Sequence, residues 1–557
     1  MAEVVTGAFL SSMFQFLFER MDSPEILAFF MGRKLNRALV RKLKITMIIV
    51  NGLIDQAEEK QIVMRTEKKW LDELKDAAYE ADDLFDEIAY EALRSKLNAG
   101  SVARKVSKLF SSHNSFENAM NAKLEEILEL LECLLRQMNA LGLNLKDDLG
   151  DEPSSHKTPT TSVIPYGHFG IYGREHDRQN IIRSLLSNDS NGVSAICIVG
   201  ISGVGKTALA QHVYYDKQVD RHFDLKAWVY VSEEFNVFKI TTDIYNQVSS
   251  EDIYMVKCSK ELQLELKQKL KGKKFLLVLD DVWSDELTEW ESLLEPLEAG
   301  RQGSKIVVTT HKESVASALQ HYHMHIDIHN LEKLSDDNCR HLLETYAFHN
   351  QVSHSSHSVF EDVGKKIAEN CRGLPLVLKT VGSLLRSKRN VQEWEEILKN
   401  MLPSDNILST LKLSYYSLPS HLKQCFAYCG IFPKGYEFYK EDLVRLWMAE
   451  GFIIEAKDGN DNEVVGDAYF NDLLSRSFFQ MSGGSQKCFV MHDHIYDLAK
   501  SISGEFCFMM EGKDSSVEVP SKTRYLYVRH GDSCHSHAFA IFEFPRSINQ
   551  KATSFYE

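Results

Sequence analysis

Residues 195–213 read AICIVGISGVGKTALAQHV, a stretch with three distinct parts. Its apolar first part, 195–199, predicts a buried β-strand, and the residues from 208 onward predict an α-helix. Between them, 200–207 has the G-x-x-x-x-G-K-[ST] spacing of a phosphate-binding loop. A chance glycine turn would need neither the strand before it nor the helix after it. The sequence therefore predicts a nucleotide-binding protein.

The residue types in this loop each have a physical reason. The glycines let the backbone turn tightly, so that successive N–H groups and the start of the next helix point at an anion. Lys206 brings a positive charge to the β- and γ-phosphates, and the Thr207 hydroxyl is suited to bind Mg²⁺. The predicted nucleotide-binding residues of the loop are Gly200, Gly203, Val204, Gly205, Lys206, Thr207 and Ala208.

A second apolar strand, 274–279, is followed by the carboxylates of Asp280 and Asp281. This is the form of a Walker B site, in which Asp280 would hold Mg²⁺ directly or through water. Asp281 would orient or deprotonate an attacking water, which makes it the candidate catalytic residue. Two acids at a strand end are often only the start of a solvated turn. Their position behind a phosphate-binding loop favours the functional interpretation.

Length and composition limit the class of protein. The chain has 557 residues, which predicts several domains, and its 44% hydrophobic and 26% charged residues are typical of a soluble globular protein. A net charge of −15 argues against a general nucleic-acid binder. The cysteines lack the spacing of a disulfide framework and no secretory signal is evident, so we expect a cytoplasmic protein.

Periodicity predicts the domain organisation. Residues 1–143 predict an N-terminal four-helix bundle, because apolar positions recur every three or four residues along long segments. The polar stretch 144–170 predicts a linker. In 171–325, apolar strands alternate with helical segments, which predicts a parallel sheet with helices on both faces. From about 326 helical patterns return. The predicted strands are 194–199, 226–231, 274–279 and 305–309.

Taken together, the motifs resemble plant intracellular immune receptors of the coiled-coil, NB-ARC, leucine-rich-repeat class, over about residues 1–505. The blocks occur in the family's order, and they are YGRE at 172–175, AWVYVS at 227–232, LDDVW at 279–283, GSKIVVTT at 303–310, GLPL at 373–376, CFAYC at 425–429, LWMAEGF at 446–452 and MHD at 491–493. The resemblance implies a multidomain α and α/β protein. Its implied domains after the linker are a P-loop nucleotide-binding domain at 171–325, a helical ARC domain at 326–405, a winged-helix domain at 406–505, and a stub at 506–557 ahead of an absent repeat domain.

The resemblance also implies nucleotide contacts outside the loop. Tyr172, Gly173 and Arg174 would frame the nucleotide. Pro375 would pack on the adenine base, and His492 would reach the β-phosphate of ADP.

This chain departs from the family pattern at several positions, among them Ser202 in place of the usual glycine and His494 in place of the usual leucine. Two further departures affect predicted contacts near the phosphates. His311 stands where the family usually has an arginine that senses the γ-phosphate, and a histidine is shorter and mostly neutral near pH 7. Ala208 stands where threonine is more usual, which leaves Thr207 as the loop's candidate ligand for Mg²⁺. In the bundle, DDLFD at 82–86 resembles the acidic motif that docks on the rest of the receptor.

The function that the resemblance implies is an ATP/ADP-binding switch in plant innate immunity, disease resistance and hypersensitive cell death. ADP would hold a resting state through His492, and exchange for ATP would allow a signalling state. Any hydrolysis would be slow. The implied partners are an adenine nucleotide with Mg²⁺, a pathogen effector or guarded host protein recognised indirectly, further copies of the chain on activation, and the plasma membrane through the active N-terminal bundle.

Three alternatives stay open on the sequence alone. A truncated adaptor or decoy would pair with a full-length receptor and work mainly as an interaction module. A true P-loop ATPase would turn over faster than about one per second. A DNA-binding regulator would use the winged helix, although the acidic net charge disfavours nucleic acid as a partner.

Overall fold

The structure is a computed structural model in which separate segments of the chain between residues 10 and 543 are described. The described residues are 10–21, 37–60, 65–98, 112–138, 171–187, 192–231, 235–249, 259–322, 324–348, 360–388, 390–401, 407–453, 462–482, 487–504, 507–511, 519–520, 523, 525–529 and 539–543. The predicted linker, 144–170, lies outside these residues.

The N-terminal region is helical, as predicted, and its described residues form four helices that pack together as a bundle. They are α1 Leu10–Met21, α2 Arg37–Lys60, α3 Arg65–Asn98 and α4 Ser112–Met138. Each helix turns an apolar stripe inward, and Phe14, Leu43, Phe85 and Leu124 are fully buried in the shared core. Amphipathic helices of this length gain most of their stability from such packing.

One carboxylate of the acidic run at 82–86 is used inside the bundle. Asp82 is only 7% exposed, and its Oδ1 pairs with Nη1 of Arg20 at 2.5 Å. This pair joins α3 to α1. The described structure therefore gives Asp82 a role within the bundle itself.

The central domain is a five-stranded parallel sheet covered by helices. Its strands are β1 Ser194–Val199, β2 Leu225–Tyr230, β3 Phe275–Asp280, β4 Lys305–Thr310 and β5 Ile326–Asn330, in the spatial order β2-β3-β4-β1-β5. Alternate residues of β1 enter two different cores: Cys197 lies in one and Ile198 in the other. A strand covered on both faces reads as a continuous apolar run, which explains why β1 is recognisable from sequence.

Four of these strands lie within one residue of their predicted bounds, and the fifth was not predicted. β5 has the sequence IDIHN and lies at the sheet edge, where its residues are half-buried or exposed. An edge strand with charged and polar side chains carries no apolar run to recognise. The sheet therefore continues to Asn330, past the end predicted for it at 325.

Helices surround the sheet and extend beyond it as a separate helical layer. Those of the nucleotide-binding domain are α5 Glu175–Leu186, α6 Lys206–Tyr214, α7 Lys217–His222, α8 Val237–Val248, α9 Ser259–Leu270, α10 Leu287–Leu297 and α11 Glu313–Gln320. The helical layer contains α12 Asp336–Ala347, α13 Glu361–Asn370, α14 Pro375–Leu385, α15 Val391–Asn400 and α16 Ile407–Tyr416. Pro375 occupies the first turn of α14, where its missing N–H costs nothing.

The next domain combines helices with a small antiparallel sheet. Its elements are α17 Ser420–Tyr428, β6 Phe438–Tyr439, α18 Lys440–Ala449, α19 Asn462–Ser475, β7 Gln480–Met481, β8 Cys488–Val490 and α20 Asp493–Ser503. Cys425 and Cys429 are fully buried in its core, where they pack as small apolar residues. A second small sheet follows, built from β9 Cys507–Glu511, β10 Tyr525–Arg529 and β11 Phe539–Glu543.

Polar contacts join this domain to the two before it. Gln211 Nε2 of α6 donates to the carbonyl of Met481 at 3.3 Å, and Ser383 Oγ of α14 donates to the carbonyl of Ser475 at 3.2 Å. Helix α1 of the bundle also packs against α17. Within the ranges given above, no helix combines the length and the apolar character needed to cross a membrane.

Candidate nucleotide-binding site

A cleft lies where the phosphate-binding loop, the helical layer and the α17–α20 domain meet. Counting the part that is open to solvent, it holds about 1430 Å³ of empty space. The loop forms one wall, and the carboxyl ends of β1 and β3 lead into it. This is the edge at which open parallel sheets bind ligands.

The loop is shaped for an anion by its own residues. Gly205 is the N-cap of α6 with a φ of +102°, a left-handed conformation that favours glycine. Lys206 Nζ donates to the carbonyls of Gly200 at 2.8 Å and Ile201 at 3.2 Å, and the residue is only 8% exposed. The lysine is therefore held over the loop by backbone oxygens, with the N-terminus of α6 directed at the same space.

Arg174 fixes the loop from outside. Its Nη2 donates to the carbonyl of Val204 at 3.1 Å and to the carbonyl of Glu332 at 2.6 Å. Nη1 lies 3.5 Å from Asp177 Oδ2, and the other oxygen of that carboxylate lies 2.9 Å from Nε2 of His329. The guanidinium thus ties the phosphate-binding loop to the chain that follows β5. Arg174 positions the loop through backbone contacts.

The two Walker B carboxylates have different surroundings. Asp280 Oδ1 accepts hydrogen bonds from Thr207 Oγ1 at 2.9 Å and Thr309 Oγ1 at 2.5 Å, and burial raises its pKa to about 6. Asp281 accepts a hydrogen bond from Trp283 Nε1 at 3.0 Å. Burial, and then the nearby carboxyl of Asp493, raise the pKa of Asp281 to about 7.

His492 enters the cleft from the opposite side. It is the N-cap of α20, and its Nδ1 accepts the backbone N–H of His494 at 3.2 Å. Burial, followed by the charges of His494 and Lys206, lowers the pKa of His492 to about 3. The ring is therefore neutral near pH 7, and because Nδ1 accepts, the proton sits on Nε2, where it can be donated.

Models of three domain families match the chain. The NB-ARC domain matches residues 174–353, the Rx N-terminal domain matches 7–117, and the disease resistance protein winged helix domain matches 431–499. The chain belongs to the plant disease resistance family. The cleft lies between its NB-ARC and winged-helix domains.

Individual relatives agree with the domain matches. Putative disease resistance RPP13-like protein 1 of Arabidopsis thaliana is 39% identical over 542 residues, which are 94% of this chain and 50% of that protein. Disease resistance protein RGA2 of Solanum bulbocastanum is 32% identical over 492 residues, 86% of this chain and 48% of that protein. A solved STAND protein with a tetratricopeptide repeat sensor from Pyrococcus horikoshii has a TM-score of 0.37 at 15% identity, covering 59% of this chain and 42% of that one. The chain spans about half the length of the curated relatives it matches.

The structure brings most of the predicted site residues to one cleft. Its lining includes Tyr172, Arg174, Pro375 and His492 with the loop and both acids. Among the described residues of the site, Gly173, Gly200 and His311 do not line the cleft. The His311 ring lies edge-on against the indole of Trp283, with ring centres 4.2 Å apart. A direct phosphate contact by His311 therefore stays a prediction.

Several residues that line the cleft were not predicted from the sequence, including one that contacts the opposite domain. Tyr230 ends β2, and its hydroxyl donates to Asp493 Oδ1 at 3.4 Å. Gln211 and Lys379 also line the cleft, from α6 and α14. A tyrosine at a strand end and a lysine on a helix carry no motif. The one available signal was their position: each lies in a predicted strand or helix that contains or adjoins a recognised motif.

We expect the nucleotide-free protein to lose stability below neutral pH through His492. Its folded pKa of about 3 lies below the ordinary value of 6.5, so below pH 6.5 the unfolded chain binds a proton that the folded chain does not. This contribution is complete above pH 6.5 and shrinks as pH falls toward 3. Acidification from pH 7.5 to 5.5 should therefore lower the free energy of unfolding by about 1.4 kcal/mol.

The measurement is urea unfolding at both pH values for the wild type and His492→Asn. Asparagine keeps an N-cap acceptor and does not titrate. The wild type should lose more stability on acidification than the variant. An equal loss in both proteins would show that His492 is not held neutral.

Proposed function

We propose that this protein is a nucleotide-controlled switch in plant immunity, with an ADP-bound resting state and an ATP-bound signalling state. One observation carries the proposal: His492 of the winged-helix domain lines the same cleft as the phosphate-binding loop of the NB-ARC domain. A nucleotide in this cleft would contact both domains. Its identity can therefore control whether the domains stay together.

The protonation state of His492 supports the role of ADP. A neutral ring with a proton on Nε2 can donate a hydrogen bond to a phosphate oxygen, and a bond to a charged acceptor is stronger than one between neutral groups. Lys206 would hold the same phosphate from the loop. A β-phosphate shared between Lys206 and His492 would stabilise the closed arrangement.

The carboxyl groups of Asp281 and Asp493 support the proposal that ATP separates the two domains. Asp281 and Asp493 lie on opposite sides of the domain boundary, the nearby carboxyl of Asp493 raises the pKa of Asp281, and both residues line the cleft. A third phosphate would add negative charge close to these groups, and like charges in a partly buried site repel strongly. ATP would therefore favour separation of the winged-helix domain from the NB-ARC domain.

Thr207 and Asp280 are suited to hold Mg²⁺ in this switch. Thr207 Oγ1 and Asp280 Oδ1 lie 2.9 Å apart beside the loop. The Asp280 side chain is buried. Mg²⁺ prefers hydroxyl, carboxylate and phosphate oxygens. Bound there, the ion would neutralise phosphate charge.

Hydrolysis would be slow in the conformation described. Asp281, the candidate catalytic residue, accepts a hydrogen bond from Trp283 Nε1, and the nearby carboxyl of Asp493 raises its pKa. A carboxyl group that is already hydrogen-bonded and whose pKa is raised is a poor base for an attacking water. Slow turnover suits a switch, since the ATP state must persist long enough to signal.

The proposed partners follow from the family. Relatives named as disease resistance proteins support a role in plant disease resistance. We propose that the protein acts inside the cell, where an effector or a guarded host protein would trigger nucleotide exchange. We propose that opening then exposes surfaces for self-association. The N-terminal bundle would act at the plasma membrane in that state.

Nucleotide titration of the purified full chain tests this function. Calorimetry should show saturable binding of ADP and of a non-hydrolysable ATP analogue, with Mg²⁺ present. Small-angle scattering should show a larger radius of gyration with the analogue than with ADP, and ATP turnover should stay below about one per second. Equal scattering in both states, or fast turnover, would contradict the switch.

A further inference from the structure

A turn of the winged-helix domain contacts two aromatic residues of the NB-ARC domain. The turn runs from Pro433 to Tyr436, and the N–H of Tyr436 donates to the carbonyl of Pro433 at 3.1 Å. Gly435, at its third position, has a φ of +73°. That value belongs to a type II turn, which requires glycine at this place.

Tyr230 forms one side of the contact. A Cβ atom built on Gly435 would lie 2.0 Å from Cε1 of Tyr230, so the ring lies directly against the glycine backbone. The Tyr230 hydroxyl also reaches Asp493, at the start of α20. The end of β2 therefore touches the winged-helix domain at two separate points.

Trp283 makes the second aromatic contact with the turn. Lys434 Nζ lies 5.1 Å from the centre of the Trp283 ring and 3.5 Å from Asp493 Oδ2. Trp283 is itself held in place, because its Nε1 donates to Asp281 and its backbone carbonyl accepts from Lys312 Nζ at 2.9 Å. A cation over a fixed, partly desolvated indole is an attractive contact.

We propose that Tyr230 and Trp283 form an aromatic cradle that latches the Lys434–Gly435 turn and so holds the two domains together. The latch rests on the proposed switch for its biological purpose, but its contacts are made by protein groups alone. It would keep the domains closed during the interval between loss of ADP and arrival of ATP. The closed state would then depend on the nucleotide and on the cradle.

Substitutions of Lys434 test the cation in this latch. In Lys434→Met the stem stays and the charge is lost, while Lys434→Arg keeps a cation that can lie over the indole. Hydrogen–deuterium exchange of the nucleotide-free full chain, read on peptides covering 433–439 and 488–492, reports separation of the domains. We expect exchange about fivefold faster in Lys434→Met than in wild type, and near wild type in Lys434→Arg.

Substitution of Gly435 tests the fit against Tyr230. Gly435→Ala should increase exchange at least about tenfold, because the methyl group cannot share space with the ring. Gly272→Ala is the matched control, since Gly272 has the same φ of +73° but no atom within 4 Å of the added Cβ. In a Tyr230→Ala background the ring is absent and the clash is gone. Adding Gly435→Ala should then raise the exchange rate no more than Gly272→Ala does.

The outcomes separate the latch from the switch. If Lys434→Met matches wild type and Gly435→Ala matches Gly272→Ala, the latch is wrong. The fluorescent analogue mant-ADP tests the switch independently: if the wild type does not bind it, the proposed function fails while the exchange data still decide the latch. If both are right, mant-ADP release should accelerate in Lys434→Met and Gly435→Ala.

Discussion

Replacing Lys206 with alanine is expected to weaken ADP binding about 100-fold. The ammonium is buried, and backbone carbonyls hold it over the loop in the position from which it can reach a phosphate. Removing it deletes a charge-assisted contact and leaves the phosphate without its main positive partner, which costs about 3 kcal/mol. Isothermal titration calorimetry with ADP measures the change.

Lys217→Ala is the matched control for this experiment. Lys217 lies on the exposed start of α7, in the same domain, and its substitution removes the same charge from the molecule. This variant should bind ADP as the wild type does. Affinity within threefold of wild type for Lys206→Ala would contradict the assignment of the loop as the phosphate site.

His492→Ala is expected to release ADP about 30-fold faster than wild type. The alanine removes the Nε2 donor that we propose for the β-phosphate, and a hydrogen bond to a charged group contributes about 2 kcal/mol. It also removes the N-cap of α20, since Nδ1 accepts the N–H of His494. Stopped-flow release of mant-ADP measures the combined effect.

His492→Asn separates these two roles. Asparagine is a good N-cap but is too short to place a donor where Nε2 lies. We expect fast ADP release from both variants. Only His492→Ala should also lose about 1 kcal/mol in the free energy of unfolding, because it alone loses the helix cap. Slow release from His492→Asn would assign the effect to the helix cap and remove the histidine from the phosphate site.

The parts of this site that a sequence reveals are those set by local geometry. The loop at 200–207 must place glycine, lysine and threonine at fixed spacing, because its backbone wraps a phosphate. Strands β1, β3 and β4 are buried on every residue, so their apolar runs are plain. The fold class, the loop and the Walker B acids can therefore be predicted from the amino-acid sequence alone.

The parts that stayed hidden depend on contacts between distant elements. Tyr230 and Gly435 are separated by about two hundred residues, and nothing in either segment indicates the other. The partner of Asp281 across the domain boundary, Asp493, is equally remote. Edge strand β5 was missed for a different reason, because an exposed strand with polar residues lacks the apolar signal.

Identification of the nucleotide that copurifies with the full chain tests whether ADP holds the closed state. The protein is purified without added nucleotide and denatured, and the released adenosine phosphates are separated and quantified against the chain. We expect ADP at close to one molecule per chain, retained by wild type and lost from Lys206→Ala. A wild-type protein that carries no nucleotide, or that retains ATP in the closed arrangement, would contradict this expectation.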